Sequence, residues 1–340
     1  MIKAPPRGPD GSSPAVDAPR TVTTRPTPAD VLFRGMLRAG GGTVLVLMLL
    51  VGGFLTAGAL PALRSAKLDF LTTERWEPDG GTFGIAAVLS GTVIIALVAV
   101  TLALPLSIGA ALYLSEYAPA AWKRFLISLV DLMAAVPSVV YGLWGFFLFQ
   151  PFALDFARWM STWLGWIPIF SVDGVEPGDP LATETVYKSS AFIAGVVVGL
   201  MVTPIATSVM REVFSQAPIG EREGAYALGS TRWGMIRTVV LPFGKGGIIG
   251  GMMLALGRSL GETIAVVLII SPAFVFQPHI FEVGTNSVAA LIANLYGEAS
   301  SFATSALMAA GLTLFVMTLI VNFIASSVIA RSRSGASSDA

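Results

Sequence analysis

The stretch "APIGEREGAYALGSTRWGMIRTVVLP", Ala217 to Pro242, is a polar island between two apolar runs, Ser190–Met210 and Gly246–Ile270. Pro218 suits the first turn of a helix, and Glu221 and Glu223 place acids where the helix dipole favours them. "ALG" ends that helix, with Gly229 fitted to the C-cap. Ser230 or Thr231 can cap a second helix, whose "RWGMIR" leads back into the apolar run. Two short helices meeting at a glycine turn make a compact knob with small residues on its first helix. Such a knob suits insertion into a partner's groove.

Both neighbours of the island are long enough to cross about 30 Å of hydrocarbon. Four more runs of that kind flank them, giving six spans near Gly41–Leu63, Gly84–Tyr113, Phe125–Gln150, Ser190–Met210, Gly246–Ile270 and Phe302–Ile329. Composition agrees. Hydrophobic residues make up 54% of the 340, charged residues 12%, and mean hydropathy is +0.75, whereas a soluble domain carries about 25% charge. The expected fold is all-α, a polytopic helical membrane bundle in the lipid bilayer. The first span reads as a true crossing, because its apolar run exceeds a signal h-region and a long leader precedes it. Of the 21 Lys and Arg, 15 fall on the N-terminal side of these spans, five on the other side, and Arg258 lies within one. The positive-inside rule then puts both termini in the cytoplasm, as expected of a multi-pass protein of the cytoplasmic membrane.

Outside the spans the chain is less regular. "PPRGPDGSSP" and "RPTPAD" predict a disordered tail over residues 1–38, and residues 333–340 read as a second, C-terminal tail after a membrane domain of 39–332. In the outer segment, 151–189, Phe152, Phe156, Trp159, Trp163 and Trp166 recur at helical spacing. The spacing predicts a helix lying at the membrane interface, followed by the turn-rich "SVDGVEPGDP". Pro105 and Pro137 interrupt spans two and three, and broken helices in membranes commonly line cavities. Ser138 follows the second break directly. Gly195/Gly199, Gly246/Gly250, Gly247/Gly251 and Gly257/Gly261 form small-xxx-small faces for close helix approach.

Arg258 and Glu262 stand four residues apart in "GRSLGETIAV". A charge near the bilayer centre costs roughly 2.5–3.5 kcal/mol on insertion scales. At 1.5 Å per residue from Gly246, Arg258 lies about 18 Å along its helix, near mid-membrane. Glu262 is expected one turn further on the same face, and Asp131, in span three, is a second carboxylate for it. The group is either a static pair fixing helix packing or part of an anion's path. The guanidinium, with five donors in a planar fork, suits a stepping stone for an oxyanion, and Glu262 would hold it when no anion is present.

Other chemistries lack their parts. There is no cysteine, and one histidine, His279, cannot build a metal cluster. The net charge of zero gives no basic field for nucleic acid. "GRSLG" matches G-x-S-x-G, but its Ser259 lies in an apolar helix rather than at a strand–helix elbow. No G-x-x-x-x-G-K-[ST] occurs, since "GKGG" lacks the spacing, so the chain is expected to be no enzyme and to need a separate ATPase. No internal repeat of a secondary transporter is seen.

The island resembles the EAA loop of bacterial type-I ABC importer permeases: E-A-A, three residues, G, nine residues, then I-x-L-P. Glu223, Ala225, Gly229, Leu241 and Pro242 are in register, while Gly224 and Val239 replace Ala and Ile; Gly224 weakens the helix by about 1 kcal/mol. Three further segments, "DLMAAVPSVVYGLWG", "LGRSLGETIAV" and "VGTNSVAALIAN", resemble the PstC family of phosphate-importer permeases. The resemblance covers roughly residues 84–329. It implies a MetI-like permease core, a coupling loop at 217–242 that meets the ATPase through Glu221, Glu223, Ala225, Gly229, Leu241 and Pro242, and a phosphate path drawing on Arg258, Glu262, Asp131, Ser138 and Asn286. It also implies a heterodimer with a PstA-like permease, a PstB-like ATPase dimer and a PstS-like external phosphate-binding protein, with no cofactor in this chain. EAA loops also serve sulfate and molybdate permeases, so another oxyanion is the alternative.

Overall fold

The computed structural model describes the backbone of residues 28–173 and 186–333, and the side chains of 28–173 and 186–327. Residues 1–27 of the expected tail, the turn-rich loop over 174–185 and residues 334–340 lie outside them. Among the described residues, six helices are long and apolar enough to cross a membrane: Pro28–Ala66, Ala86–Tyr117, Ser138–Leu164, Ala191–Ser215, Arg232–Leu260 and Ser301–Ser327. The chain is a multi-pass membrane protein, with large apolar side chains spread over the outside of its spans.

The chain divides into two units at Val51/Gly52. The described part of the first is the opening of α1 (Pro28–Ala66), already helical over residues 28–38, where the composition predicts disorder. Pro28 at a helix start and Asp30 in the first turn favour that earlier beginning. The second unit holds everything else. After α1 come the short α2 (Asp69–Thr72) and a two-stranded hairpin pairing Trp76 with Phe83.

The core of the second unit is α3 (Ala86–Leu112) against α7 (Ala191–Ser215). Gly195 and Gly199 allow the approach: a Cβ on Gly199 would meet the carbonyl oxygen of Ala99 at 2.9 Å. Positions 195 and 199 face 95–98 and 99–102, so α3 and α7 run parallel. Ser107 seals them further along by donating to the Thr203 carbonyl at 3.1 Å. On the other side of α7 lies α10 (Leu241–Leu260), where Gly247 faces Val213 and Gly251 faces Ala206 and Met210. The numbers fall as the partner's rise, so α10 is antiparallel to α7. Of the four small-residue pairs expected from sequence, Gly195/Gly199 and Gly247/Gly251 are contact faces. The last helix, α13 (Ser301–Arg333), runs antiparallel to the end of α1, with Phe315 near Gly52 and Met308 against Gly58.

The third predicted span differs most. Its residues form two helices, α4 (Ala120–Ala135) and α5 (Ser138–Trp144), separated at Val136–Pro137. The long apolar helix begins only at Ser138 and continues through a π-turn at Gly145–Phe149 into α6 (Gln150–Leu164). The aromatic stripe therefore lies on a continuation of this span rather than on a separate interfacial helix. Ala153, Ala157 and Ser161 form its buried edge, and Phe152, Trp159 and Trp163 face outward.

Candidate functional site

The knob folds as its residues require. Pro218 precedes α8 (Ile219–Ala227). Gly229 follows with φ +81°, and its N–H and that of Ser230 bond back to the carbonyls of Tyr226 and Ala225. A residue with a Cβ is strained in that left-handed region. Thr231, not Ser230, caps α9 (Arg232–Met235): its Oγ1 accepts from the Gly234 N–H at 3.1 Å. A π-turn at Ile236–Val240 joins α9 to α10 without a break. That widened turn delivers Pro242, which has no N–H to give, into the first turn of α10. Glu221, Glu223 and Gly229 lie on the outside of the knob, Ala225 is half-buried, and Ile219, Leu228 and Trp233 expose apolar surface to whatever covers them. Leu241 is half-buried against the α3–α7–α10 core.

Two residues that sequence reading did not select hold the knob in place. Arg222, between the two glutamates, is turned inward. Its Nη1 meets Glu116 Oε2 at 2.9 Å, its Nη2 donates to the Phe214 carbonyl at 2.7 Å, and its Nε donates to the Ala217 carbonyl at 3.2 Å. Glu116 is buried in a π-turn, Tyr113–Tyr117, at the end of α3. The signal in sequence was faint: one basic residue where the positive-inside rule expects several.

The pathway residues do not form one group. Helix α10 ends at Leu260, and Gly261 to Thr263 interrupt it before α11 (Ile264–Ile269). Glu262 therefore does not continue the face of Arg258. It is 9% exposed, and its Oε1 accepts from the Ala265 N–H at 3.3 Å, capping α11. Arg258 instead points outward, into an open cavity of about 590 Å³ with Gly257, Met253, Ile205, Thr318 and Asn322. Among the described residues its guanidinium has no carboxylate partner. The expected Arg258–Glu262 pair is absent because a glycine and a capping carboxylate end the helix between them. Asp131, on α4, accepts from Ser208 Oγ at 2.9 Å and so joins α4 to α7 rather than to Arg258.

Ser138 is half-buried at the start of α5. There α5 lies beside α11, with Gly142 against Ala265 and Leu268 and Gly145 against Ile269. The two helices run parallel, so the breaks at Pro137 and at Gly261–Thr263 open toward the same end of the pair. Tyr141 donates its hydroxyl proton to the Met133 carbonyl at 3.0 Å, which also accepts from the Val136 N–H at 3.3 Å in place of the i+4 donor that Pro137 lacks. An apolar cavity of about 520 Å³ adjoins this break, lined by Val136, Tyr141, Trp144 and Pro204 among others. Asn286 is 2% exposed, in the loop before α12 (Val288–Leu295). Its Oδ1 accepts from the Ser287 N–H, and its buried Nδ2 has no hydrogen-bond partner among the described residues. Its backbone packs against Gly91 of α3, and its side chain does not line an open surface.

Known proteins resemble this chain over most of its length. The pattern described as "Binding-protein-dependent transport system inner membrane component" matches residues 103–334. The phosphate transport system permease protein PstC of Mesorhizobium japonicum is 37% identical over 327 residues, covering 95% of this chain and 98% of that one. PstC 2 of Mycobacterium tuberculosis is 36% identical over 303 residues, covering 87% and 90%. The chain belongs to the PstC family of permeases. That family falls within the inner-membrane components of ABC importers. Among solved structures, a chain of a bacterial alginate ABC transporter aligns over 90% of this chain and 98% of its own length with TM-score 0.58 at 16% identity. A chain of the MetNI methionine transporter aligns over 73% and 95% with TM-score 0.51 at 12% identity. At such identities the likeness concerns the fold: this PstC relative has the type-I permease bundle.

Proposed function

We propose that this chain is the PstC-like half of a phosphate importer's membrane pathway, working beside a PstA-like permease, a PstB-like ATPase dimer and a PstS-like external binding protein. The observation that carries the reading is Arg258. A guanidinium within a membrane-crossing helix, facing an open cavity and lacking a carboxylate among the described residues, is costly unless something anionic meets it. Thr318 and Asn322 beside it add hydrogen-bonding groups suited to an oxyanion. The relatives' names support phosphate as that anion. Because the cavity is open on one side, the second permease completes it.

In this reading the knob faces the cytoplasm, as the distribution of Lys and Arg favours. Glu221, Glu223, Ala225, Gly229, Leu241 and Pro242 form or brace the surface that the ATPase moves. Closure of the ATPase pushes on α8, and the bundle alternates between outward- and inward-facing arrangements. Ser138 and Glu262 set the two helix breaks along the path, Asp131 tethers α4 at its edge, and Asn286 supports the loop behind it. The test is uptake of labelled phosphate into vesicles holding the full complex, with sulfate and molybdate as competitors. Phosphate uptake that requires ATP and resists a large excess of both competitors is expected. Equal competition by sulfate would overturn the choice of anion.

A further inference from the structure

The knob needs a rigid seat, because a push on a loosely attached helix moves only that helix. The π-turn Tyr113–Tyr117 has the geometry of such a seat. Three elements grip it by different chemistry. From α8, Arg222 forms the 2.9 Å ion pair with buried Glu116. From α9, the Arg232 guanidinium lies over the Tyr117 ring, 4.9 Å from its centroid. From α4, Lys123 Nζ donates to the Ser115 carbonyl at 3.2 Å. Arg222 also holds the carbonyls of Phe214 and Ala217 at the end of α7. One arginine thus ties the knob to the ends of both core helices, and the same turn ties it to α4, which leads to the break at Pro137.

We infer that Glu116 and Arg222 form a coupling clamp: positioning residues that carry motion of the knob into α3, α7 and α4. This rests on the reading of the knob as the ATPase contact. Glu116 is buried beneath the knob rather than on its exposed surface, so the role proposed for it differs from that of an ATPase contact. Its second oxygen, Oε1, is buried and has no hydrogen-bond partner among the described residues. A carboxylate kept there with half its acceptor capacity unused is a poor choice for stability alone. A fixed ionic contact that excludes slack accounts for it.

The experiment uses the complete complex in proteoliposomes, with phosphate uptake and ATP hydrolysis measured together and normalised to assembled complex. The variants are Glu116→Gln, Arg222→Gln and the double change. Each single variant is expected to raise the ATP hydrolysed per phosphate imported at least threefold over wild type. The double variant is expected to be no worse than the worse single one, because the two residues act as one unit. A packing role alone would lower assembly and leave the ratio unchanged; that result overturns the clamp, as does a double variant whose defect multiplies those of the singles. If the glutamine variants do not assemble, Glu116→Asp decides. It keeps the charge, shortens the reach and is expected to raise the ratio about twofold, and a wild-type ratio there overturns the clamp. Failure of the underlying reading looks different. The wild-type complex would then import no phosphate, or Gly229→Leu would leave both uptake and hydrolysis untouched, and the clamp would fall with it.

Discussion

Arg258 and Glu262 are four residues apart in a run that reads as one helix, yet their environments have little in common. One meets an open cavity, and the other is buried and caps the next helix. This separation sharpens a test. Arg258→Gln keeps length and some donors but removes the charge; losing a charge-assisted contact worth about 1.5–3 kcal/mol predicts a fall in phosphate uptake of about tenfold or more. ATP hydrolysis and assembly should persist. Adding Glu262→Gln tests the static-pair alternative, in which two neutral amides restore much of the function. Here the double variant is expected to stay as poor as Arg258→Gln alone, because no pair exists to neutralise. Uptake by the double variant near wild type, normalised to assembled complex, would return Arg258 to a packing role. Tyr141 offers a second residue-scale check. Its hydroxyl gives the Met133 carbonyl a second hydrogen bond beside that from the Val136 N–H, so Tyr141→Phe should cost about 1 kcal/mol, read as a lower melting temperature of the purified chain.

The elements differ in how openly their sequence announces them. The knob was legible almost residue by residue, because proline, glycine and threonine act locally: Pro218 before the helix, Gly229 at positive φ, Thr231 at the cap. The glycine faces of α7 and α10 were legible for the same reason, since a missing Cβ is visible in one dimension. The break after Leu260 was not, because isolated glycines are common in membrane helices and Glu262 reads as a membrane charge until its backbone partner is seen. The start of the third crossing at Ser138 and the clamp of Arg222 on Glu116 were hidden too, the latter resting on a contact between residues 106 positions apart. Two predictions belong here. At Gly229 a Cβ would meet nothing within 4 Å, so backbone strain rather than crowding decides. Gly229→Leu should uncouple hydrolysis from uptake or block assembly, whereas Gly229→Asn, which visits the left-handed region more readily, should retain most coupled uptake. Thr231→Ala removes a cap and should destabilise the knob by about 1 kcal/mol, seen as faster amide exchange over α9 with the bundle unchanged.

At the scale of the whole molecule, the directions of the helices constrain the topology without reference to any charge. In the second unit, α3 and α7 run parallel, α10 runs against α7, and the end of α1 runs against α13. Helix α5 runs beside α11 in the same sense. Six helices among the described residues are long and apolar enough to cross a membrane; if each crosses once, the chain is expected to return to the side where it started. The distribution of Lys and Arg favours the same arrangement and predicts that this side is the cytoplasm. Two reporters test both parts. One fused after Ser171, just beyond α6, should report the outer face; one fused after Ser334, just beyond α13, should report the cytoplasm. Helix α6 ends three crossings along the chain and α13 ends six along, so the two positions must lie on opposite sides if the count is right. The same side for both would break the count, most directly at the third crossing, where α4 and the Ser138–Leu164 helix share the work that sequence assigns to one span. Opposite sides with the signs exchanged would keep the fold and reject the orientation, and the knob would then face away from any cytoplasmic ATPase.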